Sequence, residues 1–234
     1  MDDVLAKEIR YALILGHNRV DDLRETINGI IDQVDMLWVH DNASEPKLHD
    51  VLKSDYRDPP IVFVYCAEQP PNIARFWNKM LTQIDMYHIA AHGNEFPYKV
   101  AVLTDDLVIP ENWFETVSKA MDDTGAAAGC TSGFEGRLAR SVLKTDPDRD
   151  LYNRMYGPAF IVRGDAGLRA NEHLAWWWND TDMDWKARGA GGMVMAPGPY
   201  VHNKYPDAST VGELAEQAAR DRKSFKEIWG WIPW

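Results

Sequence analysis

KVAVLTDDLVIPENWF, residues Lys99 to Phe114, is the stretch whose reading decides the fold. Its first part, Val100-Ala101-Val102-Leu103, is a short apolar, β-favouring run that stops abruptly at Thr104-Asp105-Asp106. Such a run predicts a buried strand. Two adjacent carboxylates at its carboxyl end repel each other and lose hydration unless a cation, basic side chains or backbone N–H groups compensate them. A divalent metal is the simplest compensation, and the carboxyl ends of strands are where open α/β sheets bind ligands. The plain alternative is an Asp-containing turn. It would lead into the helix that Pro110 and Glu111 open, with Trp113, Phe114 and Val117 on its apolar side.

Upstream, the same pattern repeats. Tyr11 to Leu15 reads as a strand ending in Gly16-His17-Asn18-Arg19, followed by Leu23, Ile27, Ile30 and Val34 at helical spacing. Met36 to His40 is a second strand, which breaks into Asp41-Asn42-Ala43-Ser44. Ile61 to Tyr65 is a third, and beyond Pro70-Pro71 a helix carries Ile73, Trp77, Met80 and Ile84. Strands alternating with helices predict a parallel sheet with right-handed crossovers, which gathers the strand ends on one edge. Asn18, Arg19, Asp41, Asn72, Asp105 and Asp106 would then line one crevice. Taken singly, Asn18, Asp41 and Asn72 read as helix caps or turn formers, and only their convergence points to a site.

Downstream, Gly125 to Gly136 is small and loop-like, Lys144 to Asp150 is strongly polar, and Pro158 to Val162 recovers a strand. The segment Trp176-Trp177-Trp178-Asn179-Asp180-Thr181-Asp182-Met183-Asp184-Trp185-Lys186-Ala187-Arg188 follows. Three consecutive Trp cannot share one side of a regular element, so at least one reaches a pocket or the surface. Trp faces suit the C–H faces of sugars and equally suit a core. Asp182 and Asp184 stand at the start of a helix through Arg188, where carboxylates pair with the helix dipole. Asp182, facing a cleft, would also suit a general base. Gly189-Ala190-Gly191-Gly192 reads as a helix stop before a strand, and His202 as either a structural histidine or a ligand. Thr210-Val211-Gly212-Glu213 matches a capping box for a last helix with Leu214, Ala218 and Phe225 on its inner face. The tail from Trp229 to Trp234 is too apolar for a free end and is expected on its own domain, on another subunit or on an acceptor.

Composition narrows the classes. A net charge of −11 argues against a broad phosphate-binding surface, although a small basic patch can coexist with it. Cys66 and Cys130 are too few for a disulfide framework or a thiolate metal site. No apolar run reaches the length of a membrane span, and the start MDDVLAKEIR lacks the layout of a signal peptide, so a cytoplasmic protein without membrane insertion is expected. No G-x-G-x-x-G follows the first strand and no G-x-x-x-x-G-K-[ST] occurs, which removes dinucleotide oxidoreductases and P-loop enzymes.

Five features in order resemble the inverting GT-A glycosyltransferases of family 2, especially the rhamnosyltransferase-like branch. They are a strand plus Asn18-Arg19, a strand plus Asp41-Asn42-Ala43-Ser44, Thr104-Asp105-Asp106, Thr181-Asp182-Met183-Asp184 with Arg188, and His202. The resemblance implies one GT-A domain over 1–209, with a mostly parallel central sheet flanked by helices, followed by a C-terminal helix and Trp-rich tail over 210–234. Within it, 1–110 would bind the nucleotide sugar and 111–209 the acceptor. Asn18, Arg19, Asp41, Asn72 and Asp105 would meet the nucleoside-diphosphate sugar donor. Asp106 and His202 would hold Mn²⁺ or Mg²⁺, which suits oxygen ligands with one imidazole. Asp182 would be the catalytic base, with Trp177, Trp178 and Asp184 towards the acceptor. Thr104 and Thr181 stand where the family commonly has acids, which favours Asp106 as the metal ligand and keeps Asp184 beside Asp182 as a candidate base.

The implied activity is inverting transfer of a hexosyl or deoxyhexosyl group from the donor to an acceptor hydroxyl. The acceptor is left open among a glycan, a protein and a modified nucleic acid. The alternative is a catalytically silent nucleotide-sugar or carbohydrate-binding protein on the same fold. A metal-dependent phosphoesterase using Asp105, Asp106 and His202 explains neither the Asn18-Arg19 turn nor the Asp182 helix.

Overall fold

The computed structural model describes residues 8–56, 60–67, 70–94, 96–132, 136, 138–150, 152–206 and 213–232. The amino-terminal half is the expected alternation: β1 (Ile9–Gly16), α1 (Val20–Ile30), β2 (Met36–Asn42), α2 (Leu48–Leu52), β3 (Ile61–Cys66), α3 (Ile73–His92) and β4 (Tyr98–Thr104). These four strands lie side by side in the order β3-β2-β1-β4 and are all parallel. Their carboxyl ends therefore share one edge.

The remainder comprises β5 (Leu107–Val108), α4 (Trp113–Thr124), β6 (Ala128–Thr131), β7 (Val142–Lys144), β8 (Ala159–Arg163), α5 (Asn179–Gly189), β9 (Met193–Ala196), β10 (His202–Asn203) and α6 (Glu213–Trp229). The sheet continues from β4 as β8-β6-β9-β7, with β8 antiparallel to both β4 and β6. β5 and β10 form a separate antiparallel ribbon.

Period-2 alternation on β1 sorts the core. Ala12 and Ile14 face one layer with α1 and α4, while Tyr11 and Leu13 face the other with Trp77, Met80 and Ile84 of α3. β6, Ala128-Gly129-Cys130-Thr131, falls inside a segment expected to be loop-like. Its residues are small because α4 presses on it. A Cβ at Gly129 would stand 2.8 Å from Met121 Cγ and 2.9 Å from Val117 Cγ1. Close approach of a helix replaces the β-branched signal that sequence reading relies on.

A third, smaller cluster joins Leu174, Trp178, Trp185 and Phe225, with Trp177, Trp229, Trp231 and Ile232 packed against it. The described part of the Trp-rich tail thus seats on its own domain. Phe225 is fully buried while Leu214 and Ala218 are half-buried, and the proposed cap at 210–212 lies outside the described residues. No described helix is long and apolar enough to cross a membrane.

Candidate functional site

The parallel register delivers the ends of β1, β2 and β4 together, and their loops are tied by specific bonds. The His17 backbone N–H donates to Asp105 Oδ2 at 3.1 Å, and His17 Nδ1 lies 2.6 Å from the Asn42 carbonyl oxygen, which places the ring proton on Nδ1. The other ring nitrogen, Nε2, then accepts from Asn18 Nδ2 at 3.0 Å. Asn18 holds φ 60°, a left-handed conformation that Asn tolerates. It joins the neighbouring loop through its N–H to Ser44 Oγ at 3.0 Å and by accepting the Glu45 N–H at 2.9 Å.

Asp41 is buried and uses one carboxylate oxygen for the Ser44 N–H and the other for the Leu48 N–H, both at 2.9 Å. What it supplies to the edge is the shape of the loop that Asn18 grips. Asn72 caps α3, accepting the Arg75 N–H at 2.9 Å, and donates to the Glu172 carbonyl oxygen at 2.9 Å.

Asp105 and Asp106 are both buried beneath this edge. Arg19 Nη1 stands 2.9 Å from Asp106 Oδ2 and 3.7 Å from Asp105 Oδ1, so one cationic nitrogen sits where oxygens from both carboxylates converge. Thr104 Oγ1 donates to Asp106 Oδ1 at 2.7 Å. Burial pushes the Asp105 carboxyl up to about 6, with the Asp106 charge adding to the rise, while the His17 N–H and the Arg19 charge oppose it. The hard oxygens and compensated negative charge of this pair suit a divalent cation that would complete its shell with waters and substrate phosphate.

His202 does not join them. It is exposed on β10 opposite Val108, two residues before Lys204, whose N–H donates to the Asp106 carbonyl oxygen at 3.0 Å. Among the described residues no three of His, Cys, Asp and Glu gather around a common metal position. This departs from the expected ligand pairing of His202 with Asp106, because the β5–β10 ribbon brings the backbones together and leaves the imidazole at the surface.

Opposite lies the amino-terminal end of α5, where the carboxylates differ from expectation. Asp182 has a side chain with 0% exposure. Its Oδ2 accepts the Asn171 N–H at 2.8 Å and Lys186 Nζ at 2.7 Å, and its Oδ1 accepts Trp229 Nε1–H at 3.0 Å. Asp184 is equally buried, bidentate with Arg188 at 2.7 and 3.0 Å, and accepts the Met155 N–H at 3.1 Å. Neither reaches a cleft in this structure. They lie on different faces of α5, and both are buried because the helix is enclosed on nearly every side.

Asp180, two residues earlier, is less enclosed. It is half-buried, its Oδ1 accepts the Thr181 N–H at 2.7 Å, and among the described residues its Oδ2 accepts no hydrogen bond. A Cβ on Gly157 would lie 2.5 Å from that Oδ2. Gly157 belongs to a turn whose neighbours meet the metal-type pair: the Thr104 N–H donates to the Pro158 carbonyl oxygen at 3.0 Å, and Tyr156 feels the charge of Asp106. Burial first, then Tyr200 and Asp106, raises the Tyr156 phenol and keeps it protonated. Asp180 was missed in sequence because three acids alternate at 180, 182 and 184. No local phase singles it out, because Asp180 and Met183, three residues apart, lie on the same side of α5, and only burial separates the three acids.

The expected acceptor platform is also rearranged. Trp178 has φ 70°, is buried, and packs on Phe225 with ring centroids 5.0 Å apart. Trp177 is half-buried, and its N–H and that of Trp176 donate to the buried carboxylate of Asp221 on α6 at 2.8 and 2.7 Å. Trp178 and Asp184 therefore serve the third cluster and the Arg188 network, not an open surface.

No family model and no curated protein matches the sequence. Among solved structures, S. aureus TarS 1-349 superposes with a TM-score of 0.61 at 14% identity, covering 95% of this chain and 74% of that one. The same TarS fragment in complex with UDP-GlcNAc gives a TM-score of 0.58 at 12% identity over 94% of this chain and 71% of that one. Its complex with UDP gives 0.59 at 12% identity, covering 95% and 72%. This chain therefore has the GT-A-like fold of TarS, a glycosyltransferase.

Proposed function

We propose that this protein is a metal-dependent glycosyltransferase that moves a sugar from a nucleoside-diphosphate donor to an acceptor hydroxyl with inversion. The observation that carries the reading is the convergence of Asp105, Asp106 and Arg19 at the carboxyl ends of β1 and β4, with Asp180 across the Tyr156–Pro158 turn. This lies on a fold whose neighbour TarS has been solved with UDP-GlcNAc and with UDP.

Asp105 and Asp106 would hold Mn²⁺ or Mg²⁺, which when bound supplies positive charge to the departing diphosphate. Arg19 binds the same phosphates through its planar fork. Asn18, Asp41 and Asn72 shape the rim on which the donor rests. Asp180 takes the proton from the acceptor oxygen as that oxygen bonds to the anomeric carbon and the bond from that carbon to the diphosphate oxygen breaks. One base with no covalent intermediate gives inversion.

Release of nucleoside diphosphate from a panel of nucleotide sugars with Mn²⁺ and an acceptor tests the reading. Asp106→Ala should abolish Mn²⁺-dependent nucleotide affinity, and undiminished affinity would remove the metal assignment. Asp180→Asn should keep donor binding while turnover falls on the order of a hundredfold to ten-thousandfold. A binding protein without turnover is the second reading, favoured by the burial of Asp182. It is the correct one if the wild type binds donor but releases no nucleoside diphosphate with any acceptor.

A further inference from the structure

The carboxylate pair already carries a cation, and that cation belongs to the chain. Arg19 Nη1 occupies the point shared by Asp106 Oδ2 and Asp105 Oδ1. Lys204, whose backbone N–H meets the Asp106 carbonyl oxygen, has its ammonium group paired with Asp22, at 2.8 Å, and with Glu25.

Arg19 is also built to leave. Its side chain is 38% exposed, whereas those of Asp105 and Asp106 are 12% and 7% exposed. The residue stands just outside α1 as its N-cap, directly after the left-handed Asn18, so the side chain is not fixed by helical packing. In this resident position its outer face is covered only by the ring of exposed Tyr205, 5.1 Å from the guanidinium to the centroid, a contact at the surface that an incoming anion can replace.

We infer that Arg19 is a resident counter-ion that holds the divalent-cation position on Asp105 and Asp106 until an anionic ligand draws it off. The inference rests on the metal and donor reading above. A doubly charged ion and a guanidinium cannot share the same two oxygens, because they repel at hydrogen-bond distance and compete for the same lone pairs. Metal therefore enters only as Arg19 leaves. A released guanidinium left without an anion loses an ion pair, whereas one that meets a diphosphate gains a bidentate pair. Metal and diphosphate consequently favour each other's binding, and by linkage the coupling is reciprocal. Free metal alone is held weakly, which keeps the site closed to cations in the absence of donor.

The test measures Mn²⁺ binding, by the loss of the free-ion electron paramagnetic resonance signal, for wild type, Arg19→Gln and Arg19→Lys, each with and without UDP. Wild type should bind Mn²⁺ weakly alone, and UDP should tighten it by about tenfold or more. Arg19→Gln should bind Mn²⁺ alone about tenfold tighter than wild type, and UDP should add little. Arg19→Lys keeps the competing charge without the fork, so it should stay weak for Mn²⁺ alone and couple less to UDP. Far-ultraviolet circular dichroism of each variant confirms that the fold is retained.

Equal or weaker Mn²⁺ binding by folded Arg19→Gln overturns the inference, while UDP binding to the same samples leaves the donor reading standing. Tighter Mn²⁺ binding by Arg19→Gln, with no UDP binding to either protein, supports the resident counter-ion and removes the donor reading instead.

Discussion

At the scale of single residues, the three acids on α5 separate by what surrounds them. Asp182 is fully buried with three donors on its carboxylate, so Asp182→Asn turns one acceptor into a donor facing either the Trp229 indole or the Lys186 side. The expected cost is about 3 kcal/mol of stability, seen as a midpoint shift in denaturant unfolding. Asp180→Asn, with one oxygen free, should leave that midpoint nearly unchanged and act on turnover. His40 supplies a pH signature. It is fully buried, its Nδ1 has no partner among the described residues, and burial, followed by Lys79, lowers its ring to about 4. The unfolded imidazole, near 6.5, takes up a proton that the folded one refuses. The stability from neutral His40 is therefore complete above pH 6.5 and is lost as pH falls from there to about 4, in total roughly 3 kcal/mol. As pH falls through that window the unfolding midpoint of wild type should drop relative to that of His40→Phe, and parallel curves would show that His40 does not set the slope.

At the scale of elements, the turn before Ala159 and the helix α6 act on the site without touching substrate. Gly157→Ala drives a methyl to within 2.5 Å of Asp180 Oδ2, so the carboxylate must move. Turnover is expected to fall while the KM for donor holds, since the edge proposed to hold the donor is built from β1, β2 and β4; a rise in KM alone would place Asp180 on the donor side. α6 clamps the segment leading into α5 from outside, because buried Asp221 receives the backbone N–H groups of Trp176 and Trp177. Asp221→Ala leaves both donors without that partner and should destabilise the chain by about 3 kcal/mol. The Trp fluorescence should shift to the red as the third cluster loosens. An unshifted spectrum with full stability would mean that α6 is not a clamp.

At the scale of the whole molecule, the legible part was the part with local periodicity. Four apolar runs ending in polar residues, with helical spacing between them, already implied a parallel sheet whose loops meet on one edge, and β3-β2-β1-β4 is that sheet. The adjacency of Arg19 to Asp105 and Asp106 follows from this register, since Leu15 pairs with Thr104 one strand over. The second half depended on contacts between residues far apart in the chain. β6 is a strand because α4 presses on Gly129, β8 runs antiparallel because it returns beside β4, and neither is encoded by alternation within a few residues. The same holds for the acids of α5. Their identity and spacing were plain in the sequence, but Trp229, forty-seven residues on, covers Asp182, while Asp180, beside the turn at Gly157, is half-buried and keeps one oxygen without a hydrogen bond among the described residues. The sequence by itself determined which residues could carry charge at strand ends and helix starts, because periodicity is a local property of the chain. Which carboxylate meets solvent and which is buried was decided only by tertiary packing, because burial depends on elements that arrive from elsewhere.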